Sequence, residues 1–98
     1  MSFSVRVTNY QNNLMLNICD SHLLEKQIID DKISIKISKS YYCERLVEKE
    51  EAKNLLKQSS SINMVGKETV SLSVSLGIGS YEGVKEINGI PFLIVFKM

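Results

Sequence analysis

The chain has 98 residues, 44% hydrophobic and 23% charged, with a formal net charge of +1. This is the size of one small domain, with one modest core and little room for a deep cleft. A near-neutral charge excludes a strongly basic nucleic-acid binder, although a local basic face is compatible with it.

Phe3, Val5 and Val7 alternate with Ser4, Arg6 and Thr8, the period of two that gives a strand with one wet face. Asn9–Asn13 reads as a polar turn of four or five residues. A second strand follows with Leu14, Leu16 and Ile18 on one side, so the two strands predict a hairpin. Asp20 and Ser21 open a turn or short helix through Leu23 and Leu24, where Asp20 can accept from the free N–H groups of that start. Asp30-Asp31-Lys32 is a turn. Ile33, Ile35 and Ile37 form a third strand whose wet face carries Lys36, with Lys32 and Lys39 beside it.

Val47–Gln58 reads as a helix. Glu48, Glu50 and Glu51 crowd its start and Lys57 its end, matching the helix dipole. Ala52, Leu55 and Leu56 form its inner face. Ser59-Ser60-Ser61 breaks it. Residues 67–76 point both ways. Val70, Leu72, Val74 and Leu76 alternate with smaller polar residues, as in a strand. The Gly66-Lys67-Glu68 start and Gly77 at a C′ position suit a helix. Near the end, Val84–Ile87 and Ile90–Lys97 flank Asn88-Gly89, a strong hairpin signal because both turn positions need positive φ. Phe92–Phe96 is apolar on both faces and predicts a strand inside the sheet. Pro91 marks its start or a bulge. The whole is an α+β fold, a single domain over residues 1–98: a mainly antiparallel sheet of about five strands with two or three helices.

SINMVGKETV, residues 61–70, has the outline of a phosphate loop. Counting excludes a nucleotide. Ser61 stands where the P-loop needs its first Gly, Glu68 stands where a hydroxyl would bind magnesium, and no apolar strand is evident before the loop. Two readings of Asn63, Gly66 and Lys67 stay open. One is a capped turn into a helix. The other is a helix start where Gly66 admits a phosphate and Lys67 adds charge.

Cys19, Asp20 and His22 put a thiol, a carboxylate and an imidazole close in sequence, but no orienting group for a catalytic pair is evident. Two cysteines and one histidine fall short of the four paired ligands of structural zinc. The chain reads as non-enzymatic and without a cofactor. Its start, MSFSVRVTNYQ, alternates and has no signal-peptide pattern. No run approaches the roughly 18 apolar residues of a membrane span. A cytoplasmic protein with reduced thiols is expected. Lys36, Lys39, Tyr41 and Tyr42 combine cations with aromatics, a pattern that can track a backbone and stack bases. The same tyrosines also suit partial burial with the hydroxyl reaching water.

The order Cys19-Asp20, Leu23-Leu24, Tyr41-Tyr42, Asn63, Val65-Gly66, Gly83-Val84, Ile87, Gly89, Pro91 resembles a family of archaeal proteins of about 100 residues, domain-of-unknown-function family 424, over nearly the whole chain. The resemblance implies a helix after Asn63–Gly66, which tips residues 67–76 to helix. It implies an archaeal setting and, because genes of the family lie among translation genes, a place at or near the ribosome, on the small subunit. The family pattern carries a glycine after the paired leucines, where Glu25 stands, and another after the aromatic pair, where Cys43-Glu44 stands. Together these predict a ribosome-associated or small-subunit ribosomal protein binding structured RNA through Lys36, Lys39, Tyr41, Tyr42, Asn63, Gly66 and Lys67. Its partners would be ribosomal RNA and ribosomal proteins, with no nucleotide and no membrane; a homo-oligomer stays open. The alternative is a protein–protein interaction module, adaptor or dimer, in a translation or RNA-processing complex.

Overall fold

A computed structural model describes residues 2–97. The elements in chain order are strands β1 (Phe3–Tyr10), β2 (Asn13–Asp20), β3 (Gln27–Asp30) and β4 (Ile33–Lys36), the one-turn helix α1 (Lys39–Tyr42), strand β5 (Arg45–Val47), helix α2 (Lys49–Gln58), strand β6 (Ser61–Val65), helix α3 (Lys67–Ser75) and strands β7 (Lys85–Ile87) and β8 (Ile90–Phe96). Two 3₁₀ turns, Ser21–Leu23 and Tyr81–Gly83, complete the path. The main sheet runs β5-β1-β2-β6-β8-β7, and β3 and β4 form a separate pair. Every neighbouring pair is antiparallel except β2 and β6. This is the α+β fold expected from the sequence, with a slightly larger sheet.

Alternation divides the sheet into two faces. One face carries Phe3, Val5, Leu16, Ile18, Ile62, Met64 and Leu93, and these pack with Ala52, Leu55 and Leu56 of α2 and Val70 and Leu72 of α3. The opposite face carries a second cluster at one end only. There Cys19, Val65 and Ile87 meet Leu23, Ile28 and Ile37, under the β3–β4 pair and its connections. The molecule is three layers deep at that end and two layers deep at the other.

The first hairpin turns on two residues, not four or five. Gln11 and Asn12 have φ of 52° and 66°, the primed turn that matches strand twist, so β1 extends to Tyr10. Gln27–Asp30 is a strand that the sequence reading passed over. Its one inward apolar residue, Ile28, pairs with Ile35 across the hairpin. Val47 belongs to β5 and pairs with Phe3; α2 begins at Lys49.

The largest correction is at residues 61–65. They form β6, the strand that joins the two halves of the sheet through its parallel pairing to β2 and antiparallel pairing to β8. An apolar strand therefore does precede Gly66. Asn63 lies within this strand and caps nothing. Residues 67–75 are helical, and the helix ends in a Schellman motif: Ile78 N–H donates to Ser73 O at 3.0 Å and Gly77 N–H to Val74 O at 3.0 Å. The Asn88-Gly89 hairpin forms as expected, with φ of 51° and 81°. The apolar strand after it has register partners on both sides only at Phe92. Ile94 and Phe96 are exposed.

Candidate functional site

Asp20 ends β2 beside the start of α3, and it caps that helix instead of its own 3₁₀ turn. Asp20 Oδ2 accepts from Glu68 N–H at 3.1 Å, and Oδ1 accepts from Thr69 N–H at 2.8 Å and from the Thr69 hydroxyl at 2.7 Å. The 3₁₀ turn has no side-chain cap bond from Asp20. Gly66, at φ 111°, closes the arrangement, because a Cβ there would collide with the Asp20 carboxylate. The glycine that could have admitted a phosphate admits the protein's own carboxylate. A cavity of about 250 Å³ beside it is lined in part by His22, Lys67 and Pro91, but the N–H groups of Glu68 and Thr69 are already engaged. The anion held by these two N–H groups is the Asp20 carboxylate.

Cys19 is fully buried, whereas His22 is exposed on its turn. Burial pushes the Cys19 thiol up to about 12, with smaller contributions from the Asp20 carboxylate and from Cys43. A buried neutral thiol is not the thiolate that nucleophilic chemistry needs. Among the described residues no cluster of three or more His, Cys, Asp or Glu could hold a metal ion, and no helix is long and apolar enough to cross a membrane.

The predicted cation–aromatic group separates into parts. Lys36 lies 3.7 Å from Glu25 in an exposed ion pair. Lys39 and Tyr41 are exposed on α1. Tyr42 turns inward to the second cluster, and its hydroxyl accepts from Asn63 Nδ2 at 3.0 Å. Burial raises the Tyr42 hydroxyl above its ordinary range, against the Asn63 hydrogen bond, which lowers it. Tyr42 and Asn63 therefore hold each other across the sheet face. Gly66 and Lys67 lie beyond the end of β6, in a different neighbourhood.

Strand polar residues secure α1. Asn17 Nδ2 donates to Tyr41 O at 3.0 Å and Arg6 Nη1 to Ser40 O at 2.6 Å, while the Ser4 hydroxyl donates to Tyr42 O. A one-turn helix cannot bond its own last carbonyls, so side chains of β1 and β2 do so instead. Sequence alternation placed Ser4, Arg6 and Asn17 on the wet side without revealing this role. A polar residue at every second strand position gives the face, not the partner.

Beyond α1 the same sheet face is uncovered. Its rows follow the register: Arg6, Asn17, Asn63 and Ile94, then Thr8, Met15, Ser61 and Phe96. Phe96 is 74% exposed, Tyr41 67% and Ile94 60%. Two shallow cavities open there. One, of about 450 Å³, is lined by Arg6, Thr8, Asn17, Ser40 and Tyr41. The other, of about 200 Å³, also reaches Asn17 and extends to Asn63, Ile94 and Phe96. Met15, Ile94 and Phe96 were legible as strand residues. Their exposure was not, because it depends on the second layer stopping short of them.

Residues 8–98 match a family described as protein of unknown function (DUF424). No curated protein matches the chain. Among solved structures, the fold is similar to one described as the crystal structure of an uncharacterized conserved protein from Methanopyrus kandleri. The TM-score is 0.80 at 18% identity, over 100% of this chain and 95% of that one. At that identity the likeness concerns the fold.

Proposed function

We propose that this chain, which belongs to the DUF424 family of proteins of unknown function, is a non-catalytic, ribosome-associated protein of the archaeal cytoplasm. In this reading it contacts structured RNA within an assembly on the small subunit. The supporting observation is the uncovered half of the sheet. Its outward positions on β1, β2, β6 and β8 carry no Asp or Glu, although the chain has 11 acidic residues. Arg6 lies on this face, Tyr41 lines a cavity of it, and Lys39 is exposed on the same short helix as Tyr41. A face without carboxylates accepts a phosphate backbone with little repulsion.

Lys39 and Lys67 are the sequence-predicted cations without an ion pair among the described residues; Lys39 would neutralise phosphates beside the uncovered face, and Lys67, beyond the end of β6, would do so away from it. Lys36 contributes less, because Glu25 shares its charge. A net charge of +1 limits affinity for free RNA, so neighbouring ribosomal proteins would share the contact. Sucrose-gradient sedimentation of a native lysate tests the reading. The protein should travel with small subunits at low salt and move to the top as salt rises. Its presence at the top under all conditions would sink the proposal.

A second reading, an adaptor or dimer, draws support from the apolar side chains of Met15, Ile94 and Phe96 and from the open edge of β1. Strand β5 covers only Phe3–Val5 of that edge. Lys39→Glu with Lys67→Glu separates the two. RNA contact predicts loss of co-sedimentation, and the adaptor reading predicts an unchanged set of partners.

A further inference from the structure

We propose, building on the RNA-contact reading above, that the uncovered half of the sheet is a platform for unpaired RNA bases. One base stacks on Phe96, another stacks on Tyr41, and the intervening backbone is met by Arg6 and Lys39.

Four observations carry this. First, the two aromatic side chains are strongly exposed on the same face, where an aromatic face offers base stacking that does not depend on sequence. Second, the cavities beside them adjoin through Asn17, so the surface is continuous from Tyr41 to Phe96. Asn17 lies on β2 and Phe96 on β8, two strand steps apart, or about 10 Å across the sheet. That spacing assigns the two aromatics to different bases. Third, the backbone that carries Tyr41 is fixed before any ligand arrives, because Asn17 bonds its carbonyl and Arg6 bonds the carbonyl of Ser40. A held backbone limits the freedom lost on binding to that of the side chain. Fourth, Thr8 and Ser61 offer hydroxyl groups, and Asn17 and Asn63, whose Nδ2 atoms are engaged, offer amide oxygens, between the aromatics. This mixture suits base edges better than it suits a paired helix.

Charge decides against a duplex. An A-form helix presents two phosphate ridges and 2′-hydroxyls, and proteins meet it chiefly through those groups. This face has Arg6 on β1 with Lys39 on the adjoining α1, Ile94 and Phe96 on β8, and Met15 between them on β2. Unpaired bases supply the missing complement, with π faces for Phe96 and Tyr41 and one backbone for the cations. Met15 on β2 and Ile94 and Phe96 on β8 alternate with Thr8, Asn17, Ser61 and Asn63, so polar groups interrupt the apolar surface.

Fluorescence anisotropy of a fluorescein-labelled ten-nucleotide mixed-sequence RNA, single-stranded or annealed to its complement, tests the platform with the full chain at low salt. The single strand should bind at least tenfold more tightly than the duplex. Phe96→Ala and Tyr41→Ala should each weaken it roughly tenfold with an unchanged melting temperature. Tyr81→Ala, an exposed tyrosine in the second 3₁₀ turn, should have no effect. Equal binding of both RNA forms, indifferent to Phe96→Ala, would overturn the platform and leave the RNA-contact reading standing. If neither form binds, while Phe96→Asp strips the protein from co-sedimenting ribosomal proteins, the face is a protein-docking surface and the proposal fails. If neither form binds and the protein also stays at the top of the gradient, both readings fall.

Discussion

Asp20 is buried, with 3% exposure, and both its oxygens are committed to the first turn of α3. Removing the carboxylate deletes a helix cap and leaves the buried Thr69 hydroxyl and N–H without an acceptor. Asp20→Ala should cost about 2–4 kcal/mol, read as a lower urea midpoint at constant slope. A loss under about 0.5 kcal/mol would mean that water replaces the cap at no cost. Glu25 makes the opposite case. It occupies the left-handed region at φ 67°, which glycine adopts without strain. Glu25→Gly should stabilise the fold by about 0.5–1 kcal/mol, because the exposed pair with Lys36 that it gives up contributes little. Cys19 adds a pH dependence. The folded thiol titrates near 12 against 9.0 for an ordinary thiol, so above pH about 9 the unfolded chain loses a proton that the folded chain keeps. This contribution to stability is complete below pH about 9 and falls as pH rises towards 12, by about 1.4 kcal/mol per unit. Chemical denaturation between pH 8 and 10.5 should show a shallower decline for Cys19→Ala than for the parent chain, and identical slopes would rule Cys19 out as the group responsible.

At the scale of elements, hairpin turns and helix ends were the most legible features. Asn88-Gly89 and Gly77 predicted their own backbone conformations, because positive φ is a local property that few residues tolerate. Gln11-Asn12 adopts the same primed geometry with a less suitable first residue, so the local pattern points to a longer loop than the chain uses. Replacing the pair by Asn-Gly should raise stability by about 1 kcal/mol in a denaturant titration. An unchanged midpoint would mean that the turn is not where the hairpin loses free energy. Strand β6 was harder to read. Ile62 and Met64 alternate with Ser61 and Asn63 as a strand should, yet five residues between a serine break and a glycine also read as a capped turn. The pairings to β2 and β8 decide between those readings, and they are non-local. The C-terminus of α2 was legible in charge, with Lys57 in its last turn. It was not legible in partner: Lys97 Nζ donates to Leu56 O at 2.6 Å and to Lys57 O at 3.0 Å.

For the whole molecule, the two clusters imply two levels of stability. The first cluster joins the main sheet to α2 and α3. The second relies on Ile28, Ile35 and Ile37 to hold a two-stranded sheet that exposes Ile29 on its outer side and Ile33 next to its turn. A two-stranded pair is marginal unless it packs on something else. Native-state hydrogen exchange should show amides of β3 and β4 opening before those of β2 and β6, at a free energy below that of global unfolding. Simultaneous exchange of both sheets would mean that the second cluster is as strong as the first. The same arrangement creates the candidate site, because the second layer ends before Ile94 and Phe96.

By itself the sequence determined the α+β class, most strands, the buried face of α2 and the Asn88-Gly89 hairpin. Each rests on local periodicity or backbone tolerance, which a linear chain carries in full. The tertiary structure decided that Asp20 fills the Gly66 helix start, that Tyr42 and Asn63 bind each other, and that half of a sheet face stays uncovered beside Tyr41. Those outcomes join residues 21 to 49 positions apart. They depend on which surfaces meet after the chain has closed on itself, and sequence spacing does not encode that.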